Sequence, residues 1–246
     1  MPVAGRPLLG IWLDRLARAG CAEAIVNLHH HAGLVRDFVT RSPYASRVTL
    51  APEEQLLGTA GTLLRHRERL SGAAFLFAHA DNLSCFDPGA LMAAHAARPN
   101  GALVTMMTFE TDAPQLCGIV ERDKAGLVTG FHEKVPDPPG RLANAAVYAV
   151  EPEVFSVMAQ AGRPLVDFSV DVVPRLLGRI FTFHNAVYHR DIGALPSLLR
   201  AQLEWPLVAG PTGTEASSDP WYGMMHDEDA RLAGQFLKAL DQALSR

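Results

Sequence analysis

Long apolar runs are missing from this chain. No stretch approaches the ~20 continuous apolar residues that a membrane-spanning helix needs, so no membrane partner is expected. Cysteine is scarce too. Cys21, Cys85 and Cys117 are odd in number and far apart, which argues against a disulfide framework or a zinc knuckle. Lys and Arg form no run, and the net charge is −4, so no nucleic-acid partner is expected. The N-terminus lacks a charged-then-apolar leader. Together these absences predict a soluble, cytoplasmic protein. Internal repeats and low-complexity tracts are absent as well. Ser71, Ser84 and Ser169 have no G-x-S-x-G context, which leaves Ser-hydrolase chemistry unsupported.

What remains is ample for a folded body. With 48% apolar and 20% charged residues over 246 positions, the chain can bury the core of one α/β domain with a small appendage. Helical and extended patterns alternate. Residues 7–19 place Leu9, Trp12, Leu13 and Leu16 at helical spacing, and Gly20 is a stop. Extended pieces are expected at Ala24–Leu28, Arg47–Ala51, and from Phe75 to Asp81; helices are expected over 33–39, 58–70 and 87–97. Beyond the extended segment 102–109 the period changes. Residues 117–122, 127–132 and 143–150 read as strands separated by turn chemistry, including Asp123-Lys-Ala-Gly126. Helices near 152–161 and 170–178, strands near 180–183 and 187–189, and a helix over 194–204 complete the body. The pattern predicts a mainly parallel, Rossmann-like sheet flanked by helices, with an antiparallel insertion.

Residues 1–205 form the expected domain, and residues 206–246 a linker and a C-terminal amphipathic helix. The linker is rich in Pro, Gly, Ser and Thr. Leu232, Phe236, Leu240 and Leu244 recur four apart and make one stripe, which packs on its own domain or on a second subunit.

Candidate chemistry gathers at strand ends. The apolar run Phe75-Leu-Phe-Ala-His-Ala stops at Asp81, and in open α/β sheets ligands bind outside the carboxyl ends of strands. A carboxylate there invites a hard divalent cation carrying phosphates, while the simpler alternative is a helix cap or turn. Leu57-Gly-Thr-Ala-Gly61 enters a helix, where glycines let backbone amides approach an anionic or flat ligand. Glu133-Lys134 ends another strand with an acid–base pair suited to sugar hydroxyls and phosphate. Asn144 offers donor and acceptor nearby. His189-Arg-Asp191-Ile-Gly193 ends a late strand in an acid, so Asp81 and Asp191 are expected to converge and share one Mg²⁺. His29-His30-His31 suggests a metal, but adjacent side chains diverge and no further ligand completes a set. Asp167-Phe-Ser-Val-Asp171 reads as a helix cap or an approach to a sugar. Cys117 reads as packing.

In this order, Arg6-Pro-Leu-Leu9, Leu57-Gly-Thr-Ala-Gly61, Ala80-Asp-Asn82, Cys117-Gly-Ile-Val-Glu121, Phe131-His-Glu-Lys134, Ala143-Asn-Ala-Ala-Val-Tyr148 and Arg190-Asp-Ile-Gly193 resemble the sugar-1-phosphate nucleotidyltransferases, within them the mannose-1-phosphate guanylyltransferase-like group. The resemblance runs from residue 1 to about 205. It implies transfer of a nucleotidyl group from an NTP (GTP in this group) to a mannose or heptose 1-phosphate, with Mg²⁺ and release of pyrophosphate. It implies catalytic roles for Asp81, Asp191 and Lys134, with Asp81 and Asp191 holding the metal. Leu57, Gly58, Thr59, Gly61 and Asn82 would bind the nucleotide, and Gly118, Glu133, Lys134 and Asn144 the sugar phosphate. A homo-oligomer through the C-terminal helix is the expected assembly.

The resemblance has gaps. The family opens with a strand and a loop of the form G-G-x-G-T-R-L, whereas this sequence begins inside the later P-L-L piece. Val135 stands where a proline is usual, and Ala146 where a glycine is usual. Losing one preorganised donor costs ~3–4 kcal/mol of transition-state stabilisation, so losing the loop predicts little turnover. The missing first strand would leave its neighbours with unpaired backbone groups. A misplaced start, a decayed gene, or a non-catalytic sugar-nucleotide-binding or regulatory subunit would each account for this. A glycosyltransferase of similar topology is disfavoured, because Ala80-Asp-Asn82 is not a D-x-D pattern.

Overall fold

The structure is a computed structural model and describes residues 2–209. The C-terminal stripe expected over 226–244 lies outside the described residues. A tight hairpin, β1 (Pro2–Val3) and β2 (Arg6–Pro7), leads into α1 (Leu8–Arg18). Two βα units follow: β3 (Ala24–Leu28), α2 (Ala32–Arg41), β4 (Val48–Pro52), and a helix in two pieces, α3 (Thr59–Arg65) and α4 (Arg67–Leu70). Next come β5 (Phe75–Ala78), β6 (Asn82–Cys85), α5 (Pro88–Ala96) and β7 (Val104–Glu110). The meander is β8 (Gly118–Arg122), β9 (Val128–Glu133) and β10 (Leu142–Val150). After α6 (Val154–Ala159) the chain closes with β11 (Ile180–His184), β12 (Tyr188–Asp191) and α7 (Leu195–Ala209).

The α/β architecture is the expected one, and its sheet is mixed. Six strands run in the order β11-β7-β10-β8-β9, with β5 also paired to β10. Among the described strands, parallel pairing is confined to β11 on β7 and to β3 on β4, because antiparallel β10 enters between β5 and β7. Alternation along β10 explains its central place. Tyr148 and Val150 face one core with Val104 and Met106, while Ala145, Val147 and Ala149 face the other with Met107 and Trp12. Helices α1, α5 and α7 cover the second face. Burial of both faces suits near-continuous apolar strands.

Four local expectations change. Residues 82–85, for which a helix cap or turn was the simpler alternative, form β6 because they pair with β12 across a long sequence gap. The 58–70 helix breaks at His66, whose backbone leaves the helical range. Residues 168–176 form a π turn followed by a 3₁₀ turn rather than an α-helix. The expected boundary at 205 falls inside α7, where Trp205 is buried against the second core. Among the described residues, no helix is long and apolar enough to cross a membrane.

Candidate active site

The sheet brings four strand ends to one rim. The His79 amide donates to the Ala146 carbonyl (3.0 Å), which sets the end of β5 beside a bulge in β10. Ala143 of β10 lies opposite Ile119 of β8, and Gly118 opposite Glu133 of β9. On the other side, Asp191 pairs with Asn82, so it lies next to Asp81 across the β6·β12 ribbon. The backbones of the two acids are therefore neighbours at one end of this ribbon.

Electrostatics link these pieces. Burial holds the His79 imidazole below its ordinary range, while Asp81, Asp167 and Asp191 oppose that shift and Lys134 adds to it. Burial likewise pushes the Glu133 carboxyl up, against the pull of Lys134, with Asp167 adding to the rise. Glu133 and Lys134 approach to 3.9 Å. Desolvation raises the Cys117 thiol, which keeps it protonated near neutrality and leaves it a packing group.

Each expected site residue has a definite place. Gly118 is required by its neighbours: a Cβ there would meet Phe131 Cζ at 2.5 Å and Glu133 Oε2 at 2.6 Å. The glycine thus lets the Glu133 carboxyl lie over the backbone of β8. Lys134 takes a left-handed backbone (φ 50°) while its amide donates to the Cys117 carbonyl. Asn144 holds the β10 bulge, its Oδ1 accepting from the Ala146 amide and its Nδ2 donating to Tyr148 Oη. Asn82 is buried, and its carbonyl accepts from Trp12 Nε1.

Around residues 57–61, the backbone serves the fold. The Ala60 and Gly61 amides both donate to the Val166 carbonyl, and the Val166 amide donates to the Leu57 carbonyl. A Cβ on Gly58 would stand 2.4 Å from the Val166 oxygen, so this glycine admits a backbone strand rather than a side chain. Thr59 donates to Asp167 Oδ2 and accepts from the Phe168 amide. Asp167 also caps the turn at Val170, so the capping alternative for this segment holds.

Four residues contribute beyond any role assigned from sequence. His79 joins the acids to the sheet. Asp167 clamps Thr59 and acts on both His79 and Glu133. Tyr148 is fully buried, and desolvation pushes its phenol up to about 12, so it acts only as a neutral hydrogen-bonding group. Glu53 is 4% exposed and accepts from Thr62 Oγ1 (2.6 Å) and the Leu57 amide (3.4 Å), fixing the 57–61 loop. Glu53 follows β4 as Asp81 follows β5, so the strand-end rule applied to every acid would have found it.

Residues 1–206 match the nucleotidyl transferase family. The chain belongs to that family. It is 30% identical over 215 residues to a mannose-1-phosphate guanylyltransferase of Mycobacterium tuberculosis, covering 85% of this chain and 58% of the relative. A mannose-1-phosphate guanyltransferase of Pichia angusta is 24% identical over 76% of this chain and 52% of its own length. The chain spans about half the length of the curated relatives it matches. Among solved structures, HddC from Yersinia pseudotuberculosis, complexed with GMP-PN, superposes with a TM-score of 0.70 at 20% identity. That match covers 83% of this chain and 88% of HddC. A Bacillus anthracis structure titled as a glucose-1-phosphate thymidylyltransferase gives 0.73 at 16% identity, covering 82% and 84%. At such identities the structural matches establish the fold.

Proposed function

We propose that the rim formed by Asp81, Asp191, Glu133 and Lys134 serves nucleotidyl transfer to a sugar 1-phosphate, with GTP as donor and mannose or heptose 1-phosphate as acceptor. The observation that carries this reading is the Asn82–Asp191 pairing, which brings the backbone of Asp191 next to that of Asp81 from a distant part of the chain. In the reaction a sugar-phosphate oxygen attacks the α-phosphorus of the NTP, and pyrophosphate leaves from the opposite side. Lys134 neutralises the incoming phosphate, and Glu133, held over Gly118, accepts hydroxyl protons of the sugar. The 57–61 loop, anchored by Glu53 and Thr59, forms one wall for the nucleotide.

Asp81 and Asp191 fit a small hard cation by chemistry. Both are exposed oxygen donors, and Asp191 Oδ1 already accepts from the Gly193 amide (2.8 Å), which fixes its orientation. Among the described residues no third acid, His or Cys completes a protein cage. A two-carboxylate site suits Mg²⁺, which keeps waters and takes substrate phosphates as its other ligands. When bound, the ion would neutralise charge on the phosphates.

Pyrophosphate release from GTP and mannose 1-phosphate, with and without Mg²⁺, tests the assignment. It is run on this chain and on a version extended upstream with a glycine-rich loop. Asp81→Asn and Asp191→Asn each lower turnover by at least about 10²-fold in whichever version is active. Wild-type rates in both variants would sink the assignment. A second reading is a sugar-nucleotide-binding subunit without turnover. GDP-mannose binding with no pyrophosphate release in either version supports it.

A further inference from the structure

Asp191 follows a cation on its own strand. Arg190 lies one position before it on β12, and β12 pairs with β6 from Tyr188↔Cys85 to Asp191↔Asn82. A two-stranded ribbon this short is marginal alone, so what grips it from outside decides where Asp191 sits. Successive side chains of a strand point to opposite faces, and here the two faces have different partners. His189 turns to β6, where its Nδ1 shares a hydrogen bond of 2.5 Å with Ser84 Oγ. Tyr188 and Arg190 turn to α7, and Glu204 meets both. Tyr188 Oη donates to Glu204 Oε2 (2.9 Å), and Arg190 Nε donates to the same oxygen (2.9 Å). A terminal nitrogen of Arg190 donates to Glu204 Oε1 (2.9 Å). This two-pronged guanidinium–carboxylate geometry is the kind that holds even near a surface. The bonds on Asp191 are of another kind. Its Oδ1 accepts from the Gly193 amide (2.8 Å), and its carbonyl accepts from Ser197 Oγ. Among the described residues, the ion pair of Arg190 is with Glu204 and not with Asp191.

We propose that Glu204 is a positioning residue for the cation site: it neutralises Arg190 and holds it against α7, which leaves the Asp191 carboxylate free. The inference rests on the reading of Asp81 and Asp191 as a divalent-cation site. An arginine beside such a carboxylate can harm it in two ways. Its charge repels the incoming ion, and its fork can close on the oxygens that the ion needs. Glu204 removes both hazards. The arginine then becomes useful, because with Tyr188 it ties β12 to α7, whose Trp205 is buried in the second core and packs edge-on against the Tyr188 ring. One carboxylate is thus spent on a fixed side chain so that the other can take an exchangeable ion.

Mn²⁺ binding to the full 246-residue chain tests this without nucleotide or turnover, read from the EPR signal of the free ion at low ionic strength. Asp191→Asn defines the site by lowering affinity about tenfold or more. Glu204→Gln keeps the shape and a carbonyl acceptor but loses the charge, and is expected to weaken binding about threefold or more. The double variant Arg190→Gln, Glu204→Gln removes both charges and returns affinity to within about twofold of wild type, a recovery that a merely structural tie would not give. Arg190→Gln alone binds at least as tightly as wild type. The Glu204→Gln deficit shrinks in ~0.5 M KCl, where surface charges are screened. Wild-type affinity in Glu204→Gln overturns the proposal. So does a deficit that persists in the double variant or in salt, or weaker binding by Arg190→Gln alone. No loss in Asp191→Asn overturns the cation-site reading, and this inference falls with it, so that control tells the two failures apart.

Discussion

Ala146 holds a left-handed backbone (φ 50°) at the β10 bulge, a conformation that costs an L-residue roughly 1–2 kcal/mol. The unusual alanine noted in the sequence thus stands where glycine is the natural choice. Ala146→Gly is expected to gain up to about 1 kcal/mol in urea unfolding, after the entropy glycine retains in the unfolded chain is subtracted. Gly118 has the opposite constraint. Gly118→Ala should lose about 1–3 kcal/mol, because its methyl displaces Phe131 and Glu133. His189 gives a pH prediction. Burial, with Arg190 adding to it, lowers its pKa to about 3, and its Nδ1 shares a hydrogen bond with Ser84 Oγ. The folded form keeps the ring neutral while the unfolded chain takes a proton below about 6.5. Its contribution is therefore complete above that pH and lost as pH falls toward 3. Stability should drop by roughly 2–3 kcal/mol between pH 6.5 and 4.5, and His189→Gln should flatten that slope in unfolding measured across pH. The placement of Asp81, Glu133, Lys134 and Asp191 at or just past strand ends was legible, because each closes an apolar or extended run. His79, Tyr148 and Glu53 were not given roles, since theirs depend on register, on a bulge and on partners far along the chain.

Elements were legible where the signal is local. Strand β3 falls at the residues its apolar run indicated, and β8 and β9 within one residue of theirs, because turn chemistry brackets them. Strand β6 was missed because nothing near Asn82 announces it; its partner is β12. The π turn at 168–172 is likewise imposed from outside, by Thr59 and Val166 meeting the start of α3. Asp167 is the hinge of that contact, capping Val170 while accepting from Thr59. Asp167→Ala should cost about 1–2 kcal/mol in chemical unfolding, the usual range for a lost cap. An unchanged midpoint would show that the 57–61 loop does not rely on this clamp.

For the whole molecule, composition and alternation were enough to give an α/β body flanked by helices. The central position of β10 was not legible, since a strand from the meander and one from the βα units look alike in isolation. Among the described residues the sheet is also discontinuous: β3 and β4 make no ladder to the six-stranded sheet. Amides of β3 and β4 should therefore exchange well ahead of those in β7 and β10, with hydrogen exchange as the measurement. Equal protection across both groups would indicate a continuous sheet. His79, just past β5, lies within reach of the charges of Asp81, Asp167 and Asp191, which favour its protonated form. A cation seated at those acids would therefore make the imidazole harder to protonate.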